Sequence, residues 1–347
     1  MPDLETLGWD ADWQAAFTPF DRDGLIPGRI AAPHRGGSYD VLTARAEERA
    51  RLPGRSRRAA ASAADVPVVG DWIALEQTPP TIHAVLPRRT RLSRRASHAE
   101  GAGATREQVV AANVDLVFVT VSLGDDPDPR LLERYLTLVL ESGARPVFLF
   151  TKADLHANPD RVAEELGAVG GGVPVVAVST RAGLGLDRVR SLLEPGLTGA
   201  LLGPSGAGKS TLVNALVGEE LLATGSLRDD GTGRHTTTRR QLVVLPGGGI
   251  LVDNPGIREL HLWLADDGLQ DAFADIAELA AHCRFADCGH ETEPGCAVQA
   301  ALADGSLAPE RWESYRELER ELAELEARLV RRERSRTRRR RPGAGAS

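Results

Sequence analysis

The stretch that decides the fold is GPSGAGKST at residues 203–211, which follows the apolar run GALL and precedes LVNALV. It is a complete G-x-x-x-x-G-K-S motif between a strand-like run and a helix-like run. In that setting the glycines let backbone N–H groups approach phosphate oxygens, and the helix N-terminus favours their negative charge. We predict that the whole loop binds the phosphates of a nucleotide: Gly203, Pro204, Ser205, Gly206, Ala207, Gly208, Lys209, Ser210 and Thr211. Lys209 should reach the β- and γ-phosphates, and the Ser210 hydroxyl should bind Mg²⁺.

A second loop, Asp253-Asn254-Pro255-Gly256, follows the apolar run GILV. The Asp253 carboxylate can hold Mg²⁺ through water, and the Gly256 N–H can contact the γ-phosphate. We therefore expect Asp253 and Gly256 to act with Lys209 in catalysis.

Two more loops together predict a base pocket. TKAD at residues 151–154 follows PVFLF, and Ser179 and Thr180 follow VVAV. The Asp154 carboxylate can accept hydrogen bonds from the N1–H and amino groups of guanine, a pattern that adenine does not offer. Lys152 would lay its aliphatic stem along the base, and Ser179 and Thr180 would close the pocket through backbone groups. An ATP-dependent kinase remains an alternative, which competition between GTP and ATP would separate.

Strand-like and helix-like runs alternate through this half of the chain. The strand-like runs are apolar on both faces, which is typical of a parallel sheet covered by helices on both sides. The expected strands lie at residues 115–123, 146–150, 173–179, 199–203, 241–246 and 249–256. The ligand loops should therefore lie together at the carboxyl ends of the strands.

These loops are those of the Ras-like GTPases in rotated order, with the base-recognition loops before the phosphate loop. Such a permutation is tolerable because all the loops lie at one edge of the same sheet. From about residue 30 to about residue 330, the chain resembles the ribosome small-subunit-dependent GTPase A family. The resemblance rests on VGDW (69–72), EQVVAANVD (107–115), GRHTTT (233–238) and the Cys/His spacing described below.

This resemblance implies an α/β fold built around a circularly permuted Ras-like P-loop GTPase domain. The expected order is an N-terminal extension at 1–29, an OB-like, RNA-binding β-barrel at 30–98, the GTPase domain at 106–262, a helical zinc-binding domain at 263–330 and an Arg-rich tail at 331–347. The short β-type runs punctuated by Gly and Pro before residue 98 also favour a barrel.

The resemblance further implies a GTP hydrolase that binds rRNA, acts in late maturation of the small ribosomal subunit and leaves on hydrolysis. In Ras-type enzymes a glutamine after Asp-x-x-Gly orients the attacking water, but the residue here is Ile257, which cannot hydrogen-bond. We therefore expect the subunit to stimulate hydrolysis by completing the site. His235 is a candidate for placing the water, with an ordinary loop histidine as the alternative. A nucleotide-gated RNA-binding module with incidental hydrolysis is the alternative function.

The switch loop offers three threonines for magnesium. One of them should join Ser210 on the ion that accompanies GTP. The residues alone do not choose among Thr236, Thr237 and Thr238, of which we assign Thr237.

The base-recognition loop departs from the family pattern at one position. The family usually has asparagine where Thr151 stands, and Asp154 is retained. Because a hydroxyl lacks the paired donor and acceptor of an amide, we expect a lower affinity for guanine.

All three cysteines of the chain lie in one segment with a histidine. The segment supplies Cys283, Cys288, His290 and Cys296, a ligand set suited to one closed, structural zinc site. Buried unliganded cysteines are the alternative to a metal site, and His282 is the alternative nitrogen ligand. The resemblance favours zinc.

The charge pattern favours a nucleic-acid partner. Of 42 basic residues only Lys152 and Lys209 are lysines, and arginines cluster at residues 45–58, 88–95 and 331–341. One such cluster is usually a solvated face or a disordered end, but three together favour a nucleic-acid partner. The partners we expect are GTP or GDP and the small ribosomal subunit with its rRNA. The sequence shows no apolar run of membrane-spanning length and no signal peptide, so we expect a cytoplasmic monomer without a membrane partner.

Overall fold

The computed structural model describes residues 3–21, 23–34, 36–54, 66–95, 107–125, 128–218, 242–253 and 266–340. Along the chain it places a closed five-stranded barrel, then a six-stranded sheet, then a group of helices. No helix among these residues is long and apolar enough to cross a membrane.

The barrel strands adjoin in the order β1-β2-β3-β5-β4. They are β1 (Ile26–His34), β2 (Ser38–Leu42), β3 (Glu47–Arg51), β4 (Trp72–Gln77) and β5 (Pro80–Val85). Apolar side chains from alternating positions fill the interior, among them Ile30, Val41 and Ile73. Helix α1 (Ala11–Asp21) packs Trp13 and Phe17 against Trp72 of the barrel.

The barrel is shorter than the 30–98 range expected from the sequence. It begins at Ile26, and after Val85 the chain leaves it to form β6 (Arg91–Arg95). Strand β6 pairs with β7 (Glu107–Ala112) in a separate two-stranded sheet. The end of the barrel therefore depends on β7, the strand that pairs with β6, which lies beyond the expected end of the barrel.

The six-stranded sheet has the order β10-β9-β8-β11-β13-β12, with β12 antiparallel at one edge and the other strands parallel. The strands are β8 (Leu116–Ser122), β9 (Arg145–Thr151), β10 (Val175–Ala177), β11 (Thr198–Leu202), β12 (Leu242–Val244) and β13 (Ile250–Val252). Strand β11 follows β8, β9 and β10 in sequence but lies between β8 and β13, as the permuted order of loops predicted.

Helices cover both faces of this sheet because its strands are apolar on both faces. They are α2 (Pro129–Glu141), α3 (Pro159–Gly167), α4 (Leu186–Leu192) and α5 (Lys209–Val217). Along β8, Val117 and Val119 pack in the cluster that contains Leu132 of α2. Phe118, between them, packs in the opposite cluster with Val189 of α4.

The last part of the chain is helical. It consists of α6 (Asp266–Ala272), α7 (Ala274–Ala281), α8 (Ala297–Asp304) and α9 (Pro309–Arg340). Helix α9 continues through most of the expected Arg-rich tail, so residues 331–340 are helical. Arginine is a good helix former, and no glycine or proline interrupts the run before Pro342.

Candidate functional site

The carboxyl ends of the five parallel strands meet at one edge of the six-stranded sheet. At this edge lie Thr151 at the end of β9, Lys152 and Asp154 after it, Ser179 and Thr180 after β10, residues 203–211 after β11, and Asp253 after β13. Neighbouring strands are in parallel register, as shown by the pairs Val121 with Phe150 and Ala200 with Val252. The structure thus brings together every described residue that the sequence predicted for nucleotide binding.

The glycines of the phosphate loop have positions that a side chain would disturb. Gly203 has φ 150°, and a Cβ there would lie 2.0 Å from the carbonyl oxygen of Thr120. Gly208 has φ 82° and immediately precedes α5. The N-terminus of α5 therefore lies at the end of the loop, where a helix stabilises an anion.

Lys209 lies inside the loop that it ends. Its side chain is buried, and its Nζ donates hydrogen bonds to the carbonyl oxygens of Gly203 at 2.6 Å and Pro204 at 2.5 Å. Ser205 and Gly206 are exposed at the tip, and Ser210 is half-buried in the first helical turn. The Lys209 ammonium group therefore lies on the inner side of the loop, and the tip of the loop is exposed to solvent.

The base-recognition loop is hydrogen-bonded to the residues that follow β10. The Ala153 N–H donates to the carbonyl oxygen of Val178 at 3.1 Å, and Lys152 adopts φ 57° in the left-handed region. The buried Ser179 hydroxyl donates to Asp154 Oδ1 at 2.5 Å, which lowers the pKa of Asp154. Asp154 is therefore an ionised, exposed acceptor fixed in orientation.

Thr151 lies between this loop and the phosphate loop. Its side chain is buried, and its Oγ1 donates to the carbonyl oxygen of Ala207 at 2.7 Å. The sequence indicated only that Thr151 replaces an asparagine, and it gave no sign of the contact with Ala207.

Several expected groups lie outside the described residues. These are Gly256, Ile257, His235 and the switch threonines Thr236, Thr237 and Thr238. Their roles stay predictions from the sequence.

A second cluster lies between α7 and α8, where Cys283, Cys288, His290 and Cys296 place their ligand atoms within 4.8 Å of one another. His290 Nδ1 is 3.5 Å from the sulfurs of Cys283 and Cys296, which are 3.9 Å apart. Around a tetrahedral ion with metal–sulfur bonds of about 2.3 Å and a metal–nitrogen bond of about 2.0 Å, the nitrogen lies about 3.5 Å from each sulfur and the sulfurs lie about 3.8 Å apart. The four residues therefore fit one metal ion.

Charge and hydrogen bonding also suit a cation at this cluster. A backbone hydrogen bond at His290 lowers the pKa of the Cys288 thiol, but desolvation and the nearby sulfurs of Cys296 and Cys283 raise it to about 11. Because three thiolates repel one another, they can ionise together only around a cation.

The loop that carries His290 is shaped by two polar side chains. The Glu293 carboxylate accepts backbone hydrogen bonds from Gly289 at 2.8 Å and Glu291 at 2.9 Å. Backbone N–H groups of Glu293, Glu291 and Gly289 lower the pKa of Glu293 to about 2. Gln299 Nε2 donates to the carbonyl oxygen of His290 at 2.7 Å.

His282 does not belong to the cluster. Its Nδ1 lies 2.7 Å from the carbonyl oxygen of Glu278, one turn earlier in α7, and its side chain is exposed. The structure therefore selects His290 over His282 as the nitrogen ligand.

Arg311 attaches the last helix to the sheet domain. It forms ion pairs with Glu133 of α2 at 2.7 Å and with Asp275 of α7 at 2.6 Å. Its guanidinium also lies 4.6 Å from the ring centroid of Phe273. Glu133 is buried, so this pair fixes the metal-cluster region against the helix that covers β8.

Arg29 of β1 is the centre of a buried polar joint between the barrel and the sheet. Its guanidinium donates to the carbonyl oxygens of Gly70 at 3.3 Å, Leu7 at 2.5 Å and Asn113 at 3.1 Å, and to Thr198 Oγ1 at 2.8 Å. Complete burial lowers its pKa to about 10. Sequence reasoning missed this role, although VGDW and EQVVAANVD both contribute to the joint.

Part of the 88–95 arginine cluster forms ion pairs within the protein. Arg88 pairs with the fully buried Asp71 at 2.7 Å, and Arg89 pairs with Asp10 at 2.6 Å. Arg91 is 62% exposed. The first two arginines are therefore engaged in close ion pairs, whereas Arg91 is mostly exposed and lies 3.8 Å from Glu107.

Residues 85–263 match the family model described as RsgA GTPase. The chain belongs to the RsgA GTPase family. The match covers the strands and loops of the nucleotide edge, from the end of β5 to beyond Asp253.

Named relatives of the RsgA family align over nearly the whole chain. A protein from Opitutus terrae is 44% identical over 334 residues, covering 92% of this chain and 90% of its own length. One from Streptomyces coelicolor is 46% identical over 328 residues, covering 92% and 86%. Both are named small ribosomal subunit biogenesis GTPase RsgA.

Solved structures agree with the fold. The crystal structure of YjeQ from Thermotoga maritima superposes with a TM-score of 0.63 at 26% identity, covering 86% of this chain and 99% of that one. The structure of YloQ, described as a circularly permuted GTPase, gives a TM-score of 0.60 at 22% identity, covering 88% and 96%. The expected fold class is thereby confirmed: a permuted GTPase domain after a barrel and before a helical Cys/His region.

Proposed function

We propose that this chain is a cytoplasmic, monomeric GTP hydrolase that binds the small ribosomal subunit late in its maturation and leaves it when GTP is hydrolysed. The observation that carries the proposal is the meeting of the phosphate loop and the TKAD loop at one sheet edge, with Asp154 held as an ionised acceptor. Relatives 44% and 46% identical over most of the chain bear the name of a small-subunit biogenesis GTPase.

The phosphate loop would bind the triphosphate. Lys209, already on the inner side of the loop, would donate to the β- and γ-phosphates, and the N–H groups around Gly208 would donate to their oxygens. Ser210 and Asp253 follow the adjacent strands β11 and β13 and would hold Mg²⁺ with Thr237. Magnesium, when bound with GTP, would neutralise charge that builds up between the β- and γ-phosphates.

Guanine would be selected by Asp154. Because the Ser179 hydroxyl holds one carboxylate oxygen at 2.5 Å, the carboxylate is ionised and fixed before the base arrives. It would accept hydrogen bonds from N1–H and the amino group of guanine. Adenine has no donor at N1, so the same carboxylate would reject it.

Hydrolysis would need a partner. Ile257, at the position after Asp-x-x-Gly, has no hydrogen-bonding group with which to orient water. His235 would place the water and Gly256 would contact the γ-phosphate when the small subunit is bound. This arrangement predicts slow hydrolysis by the isolated protein.

The Cys/His cluster would hold one structural zinc ion. Cys283, Cys288, His290 and Cys296 supply four protein ligands, which leaves no coordination position for a reacting water. Bound zinc would neutralise the crowded thiolates and stabilise the loop between α7 and α8.

Ribosomal RNA would contact exposed arginines of the barrel region. Arg45 and Arg51, near and on β3, and Arg91 on β6 face solvent. Contacts of this kind neutralise phosphates with little sequence preference, so binding should weaken as salt rises.

Sedimentation with purified ribosomal subunits tests the proposal. Small subunits should retain the protein roughly tenfold better with a non-hydrolysable GTP analogue than with GDP, and large subunits should not retain it. Lys209→Ala serves as the control, because it should remove the difference between the two nucleotides. Equal retention with GDP and the analogue, or equal retention by large subunits, would contradict the proposal.

A further inference from the structure

Thr151 joins two loops that approach the nucleotide from different strands. It is the last residue of β9, is 5% exposed, and begins the base-recognition loop. Its Oγ1 is 2.7 Å from the carbonyl oxygen of Ala207 in the phosphate loop and 3.4 Å from that of Val121 in β8. The hydroxyl therefore contacts two chain segments besides its own.

The direction of these hydrogen bonds follows from their chemistry. Both neighbours are carbonyl oxygens, which can only accept, so the hydroxyl must be the donor. A threonine hydroxyl has one hydrogen, and the shorter contact directs it to Ala207. An asparagine amide at this position would have two N–H donors and could hold a loop carbonyl while also donating to a second acceptor.

The contact is made at the most constrained part of the phosphate loop. Ala207 is 2% exposed, and Gly208 follows with φ 82°. The three described heavy atoms that lie nearest to a Cβ built at Gly208 all belong to Thr151, with its Oγ1 at 3.6 Å and its methyl carbon at 3.9 Å. Thr151 thus fixes the Ala207–Gly208 peptide, one residue before Lys209 and the N-terminus of α5.

We propose that Thr151 is a positioning residue that ties the base-recognition loop to the phosphate loop and does not read the base. This proposal rests on the proposed GTP hydrolysis and defines the substrate class more closely. Guanine N7 is a hydrogen-bond acceptor, and the only hydrogen of the Thr151 hydroxyl is already donated to Ala207. The site should therefore accept guanosine triphosphates that lack N7 as readily as GTP itself.

The test measures equilibrium binding of GTP, GDP, 7-deaza-GTP and ATP to the full chain and to three variants. The parent should bind 7-deaza-GTP within about twofold of GTP. Thr151→Val, which removes the hydroxyl at nearly constant volume, should weaken GTP and GDP binding by about threefold to tenfold. It should leave the ratios of GTP to ATP and of GTP to 7-deaza-GTP unchanged.

Two further variants guard against a merely structural effect. Thr151→Ser keeps the hydroxyl and should restore the affinity for GDP. Thr151→Asn adds a second donor and should acquire a preference for GTP over 7-deaza-GTP of about threefold or more. If Thr151→Val fails to fold, these two variants and the parent still separate the two roles.

Three results would overturn the proposal. In the first, the parent prefers GTP over 7-deaza-GTP and the preference disappears in Thr151→Val. If Thr151→Val does not fold, a parent preference for GTP of tenfold or more counts as this result. Another is an unchanged GDP affinity in Thr151→Val. A third is a Thr151→Ser protein that binds GDP no better than Thr151→Val. A parent that binds no guanine nucleotide would instead refute the proposed function, so the two failures are distinguishable.

Discussion

Replacing Arg29 with methionine removes the centre of the joint between the barrel and the sheet while keeping most of the side-chain volume. The change removes the Arg29 donor from the buried carbonyl oxygens of Leu7 and Asn113 and from the Thr198 hydroxyl. The Gly70 oxygen keeps its hydrogen bond from Asn113 Nδ2 at 3.1 Å. Each acceptor left unpaired costs about 1–3 kcal/mol, and the loss is partly offset because a fully buried guanidinium no longer has to be desolvated. We expect a net loss of about 3–5 kcal/mol in the free energy of unfolding.

Urea unfolding followed by tryptophan fluorescence measures this loss directly. The Arg29 guanidinium lies 5.4 Å from the ring centroid of Trp72, so the joint has its own reporter. The matched control is Arg161→Met, because Arg161 is 77% exposed and pairs with Glu165, four residues along the same helix. That control should leave the unfolding midpoint unchanged. If Arg29→Met unfolds within about 1 kcal/mol of the parent, then Arg29 does not hold the two domains together.

Three further predictions concern the base, the metal and the pH dependence. Asp154→Asn should weaken GTP binding roughly 100-fold and let xanthosine triphosphate compete, because an amide can donate to the second carbonyl of xanthine. An unchanged GTP affinity in competition binding would show that Asp154 does not recognise guanine. His290→Ala should lose bound zinc in elemental analysis, whereas His282→Ala, which changes an exposed histidine outside the cluster, should keep it; the reverse pattern would contradict the ligand assignment. Arg89 lowers the pKa of Asp10 below 3.8, so the pair should stabilise the protein above that pH and lose its effect as pH falls through the lower pKa. Asp10→Asn should therefore cost about 0.5–1 kcal/mol in urea unfolding at pH 7 and almost nothing near pH 2, and an equal cost at both would be inconsistent with this ion pair.

The nucleotide edge was predictable from the sequence because its signals are local. Each loop directly follows its own strand, and parallel strands place their carboxyl ends at the same edge, so motif and strand together fix the position. Likewise the four metal-cluster residues lie within one short segment, although the choice of His290 over His282 came from the structure.

The remaining features depend on partners far apart in the chain. Arg29 bonds to residues 41, 84 and 169 positions away, and the Glu133 that Arg311 contacts is 178 positions away. A sequence pattern marks neither partner, because a buried arginine and a solvated one look alike in the sequence. The barrel ends before residue 98 for the same reason, because β6 pairs with β7 in a separate sheet. The contact between Thr151 and Ala207 spans 56 positions, which is why the substitution first indicated only a loss of base contacts.

Steady-state GTP turnover by the full chain, measured with and without purified small ribosomal subunits, tests whether the subunit stimulates hydrolysis. With Ile257 in the position of the water-orienting residue, the isolated protein should be slow, and small subunits should raise turnover by roughly tenfold or more. Large subunits should give no increase, and Lys209→Ala should show no turnover in either condition. Turnover by the isolated protein that equals its turnover with small subunits would contradict the account.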